Sequence, residues 1–302
     1  MTKLVVTVCW RRGSVTGQLY LLDLSKKKVL DFICPDPPEP HGGTGGFRGC
    51  FVRDGKAFVL DTSSLRVFDV EHGRLDYLQG YDSPHVGLTE VLPNDDGSFW
   101  CGTIGSAGVA RMALPDSGQQ LQELEFWEAW DPVLEVSEKP ETDQLHINGV
   151  ARIEKQMWTF PAYRGRIVRF RPAPPRVMST VNAPYGHSLK NTPRGTLLLL
   201  DTKASEVIHL APDGNGGHGE VLEKVAIKVP SPPTVTDETT GRTATSGYLR
   251  GCCVIDEKMA IVGAAPAQLM VVDYVNGRVI DRWEFGHGDV GESVYAITGA
   301  GE

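Results

Sequence analysis

Arg48-Gly49-Cys50-Phe51-Val52, Asp54-Gly55, Ala57-Phe58-Val59-Leu60-Asp61 and Leu65-Arg66-Val67-Phe68-Asp69 read in succession as strand, tight turn, strand, short loop, strand. Aromatic and β-branched side chains suit a half-buried pleated surface, and Asp-Gly accepts the positive φ of a hairpin turn. The same unit returns at Asn148-Gly149-Val150-Ala151-Arg152, Gln156–Phe160 and Arg166–Phe170. It returns again at His187-Ser188-Leu189-Lys190-Asn191, Thr196–Asp201 and Glu206–Leu210. A fourth strand follows in the fuller units, as in Arg278–Trp283. Repeats of such sheets about an axis define a β-propeller.

Six units align on their first strand, beginning at Arg48, Val86, Asn148, His187, Arg250 and Glu292. The second column of this register is Gly49, Gly87, Gly149, Ser188, Gly251 and Ser293, as expected where innermost strands crowd together and only tiny side chains fit. The last unit stops after one strand. Leu4–Cys9, Gln18–Leu24 and Lys28–Ile33 must supply the rest of that blade, which closes the ring and removes open edges. The expectation is therefore an all-β, single-domain, six-bladed β-propeller over residues 1–302, with insertions at about 123–143 and 213–246.

Composition narrows the partners. A net charge of −8 opposes a nucleic-acid surface, which needs a basic face. No run approaches the roughly 18 apolar residues of a membrane span. The six cysteines have no CxxC or zinc-finger spacing and read as reduced core residues. A cytoplasmic protein, monomeric or homodimeric, is expected, with no nucleic acid and no membrane as partners.

The first column carries the chemistry. Side chains alternate along a strand, so if the small column packs between blades, the first and third columns face the channel. The third column (Cys50, Leu88, Val150, Leu189, Cys252, Val294) is apolar, whereas five of the six first-column residues are polar or charged. Buried without partners, such groups cost several kcal/mol each (about 2–7 for a neutral amide or hydroxyl). His85 and His146 precede two of the strand starts. His85, His146, Asn148, His187 and Glu292 are thus candidate metal ligands, a set suited to Zn, Fe, Mn or Cu more than to Ca. His187, Glu292, Arg48 and Arg250 are the candidate catalytic residues. Arg48 and Arg250, with Arg152, Lys190 and His41, are candidate contacts for a small anionic substrate. Two plainer readings stand beside these: Glu292 pairs with an arginine, and Arg152 or Lys190 pairs with Glu90.

Asn148-Gly149-Val150 with Arg166–Phe170, Asn94-Asp95-Asp96-Gly97-Ser98-Phe99-Trp100-Cys101-Gly102-Thr103, and Gly291-Glu292-Ser293-Val294-Tyr295 resemble motifs of the gluconolactonase/regucalcin family of six-bladed propellers. That resemblance implies a metal-dependent lactone hydrolase with ligands at Glu292, Asn148 and the position of His187. His187 replaces the family's Asp, and Val86 stands where a further Asn is expected. Leu145-His146-Ile147-Asn148-Gly149, Gly186-His187-Ser188, Tyr248-Leu249-Arg250-Gly251 and Glu292–Tyr295 are closer to an uncharacterised propeller group.

Three functions follow as expectations. The first is a divalent-metal-dependent hydrolase, lactonase or lyase acting on a small anion in the channel. The second is a metal-independent lyase or synthase using His/Glu acid–base chemistry. The third is a non-catalytic propeller that binds a ligand or a protein.

Overall fold

A computed structural model describes residues 3–10, 17–34, 46–106, 108–128, 147–161, 165–178, 181–183, 186–212, 219–228, 235–236, 243–244, 248–287 and 292–300. Among these the chain is all strand and turn, and it forms six four-stranded antiparallel sheets arranged as a six-bladed propeller. Blade one pairs β26 (Glu292–Gly299) with β1 (Lys3–Trp10), β2 (Gln18–Asp23) and β3 (Lys28–Ile33). Blade two is β4 (Cys50–Arg53) to β7 (Asp76–Asp82), and blade three β8 (Leu88–Pro93), β9 (Phe99–Thr103), β10 (Gly108–Ala113) and β11 (Gln122–Glu128). Blade four is β12 (Ile147–Ile153) to β15 (Arg176–Met178), and blade five β16 (His187–Asn191) to β19 (Glu220–Ala226). Blade six is β22 (Leu249–Val254) to β25 (Arg278–Glu284). The closure expected from the termini is present: β26 pairs with β1 from Leu4↔Gly299 to Trp10↔Glu292.

Part of each expected insertion is strand. Glu123–Glu128 belongs to β11 and Glu220–Ala226 is β19, so each segment contributes the outer strand of a blade. In β19 exposed and less exposed residues alternate, whereas in β11 the less exposed residues are the run Glu125–Trp127. The remainder of the first insertion, from 129, lies outside the described residues. Within the second, Val235–Thr236 pairs with Thr243–Ala244.

Six apolar clusters, one at each blade interface, hold the ring. Blades two and three share Phe58, Leu65, Leu88, Val91 and Phe99, and blades six and one share Ile261, Leu269, Val294 and Ile297. Each fully buried Leu, Val or Phe contributes about 1.5–3 kcal/mol. Threonine hydroxyls latch neighbouring blades: Thr7 Oγ1 donates to the Arg48 carbonyl at 2.6 Å, Thr202 Oγ1 to that of Leu249 at 2.8 Å, and Thr89 Oγ1 to that of Ile147. Each acceptor is at, or one residue before, a first-column side chain.

The small column serves as expected where it faces a neighbouring blade. A Cβ on Gly49 would lie 2.4 Å from the Thr89 carbonyl oxygen, and one on Gly149 2.5 Å from Leu189 Cβ. The third column is a correction. Cys50, Leu88, Val150, Leu189, Cys252 and Val294 pack into the interface clusters instead of plugging the channel. Bulges are the reason. The register slips between Leu88 and Val91, Ile147 and Val150, His187 and Lys190, and Arg250 and Cys252, and an extra residue reverses strict alternation. Ser188 (φ 53°) and Gly251 (φ 68°) take left-handed backbone at the same place in these bulges, a second reason for small residues there.

Candidate functional site at the channel mouth

Arg48, Asn148, His187, Arg250 and Glu292 lie at or just before the starts of their inner strands, and all five are buried. Val86, by contrast, is 53% exposed; β8 begins two residues later.

Arg250 occupies the best-defined position. Its guanidinium carbon lies 4.8 Å from the centroid of Tyr248 and 5.2 Å from that of Tyr295, so an aromatic ring covers it on two sides. Nη1 donates to Cys9 Sγ at 3.5 Å, while Nε is buried without a hydrogen-bond partner among the described residues. Burial opposes the charge on Arg250, but the Tyr248 and Tyr295 oxygens and the Cys9 thiol outweigh it and hold the group protonated. Tyr295 is the hub. Burial raises its phenol above the ordinary tyrosine range, against the pull of Arg48 and Arg250.

His187 completes this wall, with its ring 6.0 Å from Tyr248 and 6.4 Å from Tyr295. Its Nε2 lies 3.4 Å from Asn148 Nδ2, which also donates to the Gly186 carbonyl at 3.3 Å. The geometry therefore gathers blades four, five, six and one at a single mouth. Arg48 joins from blade two, where Nη1 donates to the Leu88 carbonyl at 3.1 Å.

Glu292 is fully buried and turns toward blade six. Its Oε2 accepts from the His287 amide at 2.8 Å and would meet a Cβ on Gly286 at 2.5 Å. Burial raises the Tyr20 phenol, and the Glu292 charge adds to that rise, which places the carboxylate beside the core of blade one.

Three expected members of the site have other partners. His85 is engaged within blade three: Nδ1 meets Ser106 Oγ at 2.8 Å, Nε2 meets Glu123, and the ring stacks on Phe126. Arg152 donates to Asn94 Oδ1 at 3.2 Å in the turn beyond β8. Lys190 pairs with buried Glu90 at 2.8 Å, the plainer of its two readings. His41 and His146 lie outside the described residues. Among the described residues no three His, Cys, Asp or Glu side chains come together in a way that could hold a metal ion.

Sequence reasoning missed Tyr248 and Tyr295 as constituents of the site, and named Glu90 only as a partner for Arg152 or Lys190. Tyr248 precedes Arg250 by two and Tyr295 follows Glu292 by three, a proximity that marks both. Glu90 had no such signal, because the bulge after Leu88 decides where it faces.

No protein-family model and no curated protein sequence matches the chain. Solved structures do. A Bacteroides caccae protein of unknown function superposes with a TM-score of 0.63 at 11% identity, covering 99% of this chain and 98% of that one. The nidogen/laminin complex contributes a chain with a TM-score of 0.60 at 12% identity, covering 98% and 97%. The periplasmic gluconolactonase PpgL of Pseudomonas aeruginosa gives 0.59 at 14% identity, covering 95% and 84%. At such identities these likenesses show the fold alone, a six-bladed β-propeller.

Proposed function

We infer that the protein is an enzyme acting on a small anionic molecule at the channel mouth, by hydrolase- or lyase-type acid–base chemistry. The observation that carries this reading is Arg250 held between Tyr248 and Tyr295 beside the imidazole of His187. Two buried guanidiniums, Arg48 and Arg250, favour an anion and disfavour a neutral ligand. His187 acts as the general acid–base and Asn148 orients its ring. The solved gluconolactonase suggests lactones as first substrates. Opening a lactone passes through an oxyanion and ends in a carboxylate, and the arginines would stabilise both.

A panel of lactones and small carboxylate or phosphate esters, assayed before and after prolonged chelation, tests this. His187→Ala and Arg250→Met are expected to lose turnover by about 10²-fold or more while melting like the unsubstituted chain. Activity that vanishes on chelation and returns with zinc or manganese would instead support the metal-dependent reading of Asn148, His187 and Glu292. No turnover and no ligand-induced thermal shift across the panel would sink the enzyme reading.

A further inference from the structure

Blade three carries a second chemical arrangement, built from other residues. His85 lies in the segment leading into β8, Ser106 in the turn between β9 and β10, and Glu123 at the start of β11. The imidazole bridges the other two: Nδ1 to Ser106 Oγ at 2.8 Å, and Nε2 to Glu123 Oε2. An ionised carboxylate only accepts hydrogen bonds, so the neutral imidazole must carry its proton on Nε2. Nδ1 is then a lone pair aimed at the serine hydroxyl, which donates. This is the hydroxyl–base–carboxylate order of an activated nucleophile.

The surroundings hold that order in place. Phe126 stacks on the imidazole at 4.9 Å with rings 17° apart, and the His85 amide donates to Ser83 Oγ at 3.0 Å. The Ile104 and Gly105 amides donate to the Gly87 and Val86 carbonyls at 3.0 and 3.1 Å, pinning the serine's turn against the histidine's segment. His85 is buried, whereas Ser106 is half-buried beside the exposed Gly105.

The geometry points to a nucleophilic serine centre, Ser106–His85–Glu123, with acyl esters as its substrate class. Ser106 Oγ bonds to the acyl carbon as its proton passes to His85 Nδ1. The ester C–O bond breaks and the leaving alkoxide takes that proton. Water then attacks the acyl-serine, giving its proton through His85 to Ser106 Oγ, and the carboxylic acid departs. Glu123 is a positioning residue that fixes the tautomer and stabilises the imidazolium.

A fluorophosphonate probe on the purified full chain tests the centre, since it phosphonylates such a serine with loss of fluoride. Peptide mapping is expected to place a single adduct on Ser106. The site of the adduct in the unsubstituted chain decides the matter whether or not any variant folds. His85→Ala is expected to slow labelling by about 10²–10⁴-fold, with added imidazole restoring part of the rate. Glu123→Gln also slows it, and Glu123→Asp recovers part of the loss. Absence of an adduct on Ser106 under excess probe, or an unchanged rate in His85→Ala, overturns the proposal.

Discussion

Lys190 Nζ lies 2.8 Å from Glu90 Oε2, although the two are 100 residues apart and belong to blades five and three. Ser188 Oγ donates to the other carboxylate oxygen at 2.7 Å. The pair ties blades that do not adjoin, so it acts across the axis. Glu90 is almost fully buried, while the Lys190 side chain keeps 23% exposure.

Breaking this tie should cost more than removing it. Lys190→Met leaves Glu90 charged and buried, for an expected loss of about 2–3 kcal/mol in urea unfolding, short of the full-burial figure because water reaches part of the lysine. Lys190→Met with Glu90→Gln should recover much of that loss. The pH dependence has a definite sign. Burial pulls the Lys190 ammonium down, but the Glu90 charge and hydrogen bond outweigh it, so its pKa stands above the ordinary lysine value. A raised folded pKa stabilises fully below the unfolded value of about 10.4, and that contribution is lost as pH climbs above it. Stability of the unsubstituted chain should therefore fall in this alkaline window more steeply than that of the double variant; identical profiles would count against the tie.

Gly149→Ala tests the crowding of inner strands. Its φ is ordinary, so the penalty is purely steric: the new methyl would sit 2.5 Å from Leu189 Cβ and 2.6 Å from Leu189 N on the next blade. The expected loss is about 1–3 kcal/mol. An alanine at the exposed turn position Gly195, where no atom lies within 4 Å of the added Cβ but φ is 71°, controls for backbone strain alone.

A chain ending at residue 291 tests closure. Without β26, blade one loses its innermost strand and β1 becomes an unpaired edge along seven register partners. Aggregation or loss of a cooperative melt is expected on size-exclusion chromatography and circular dichroism. A truncated chain that stays monomeric with an unchanged melting temperature would show that the ring does not depend on its C-terminal strand.

How legible this protein is follows from particular residues. The recurrence of Arg48–Asp69 at Asn148 and His187, and the Gly/Ser column, exposed the propeller because strand, turn and crowding are local demands on residue type. Leu4–Cys9 revealed its partner because Glu292–Ile297 was a strand without a blade. Arg48, Asn148, His187 and Arg250 were legible as one layer because rotational repetition turns equivalent sequence positions into equivalent places. Glu90, Tyr295 and the fate of His85 were not. A bulge after Leu88 redirects the first, and blade-to-blade packing brings the second beside Arg250. For His85, a hydroxyl 21 residues away and a carboxylate 38 away intervene.

Taken alone, the order of amino acids determined the number of blades, the joining of the two ends, and which residues crowd the axis. Each of these depends on hydrophobic period, turn chemistry and side-chain size, which short segments carry within themselves. Tertiary structure alone decided which of Arg152 and Lys190 meets Glu90, that two tyrosines enclose Arg250, and that His85 meets Ser106 and Glu123. A side chain's direction and partner depend on bulges and on chain segments far removed in sequence, and no single stretch encodes them.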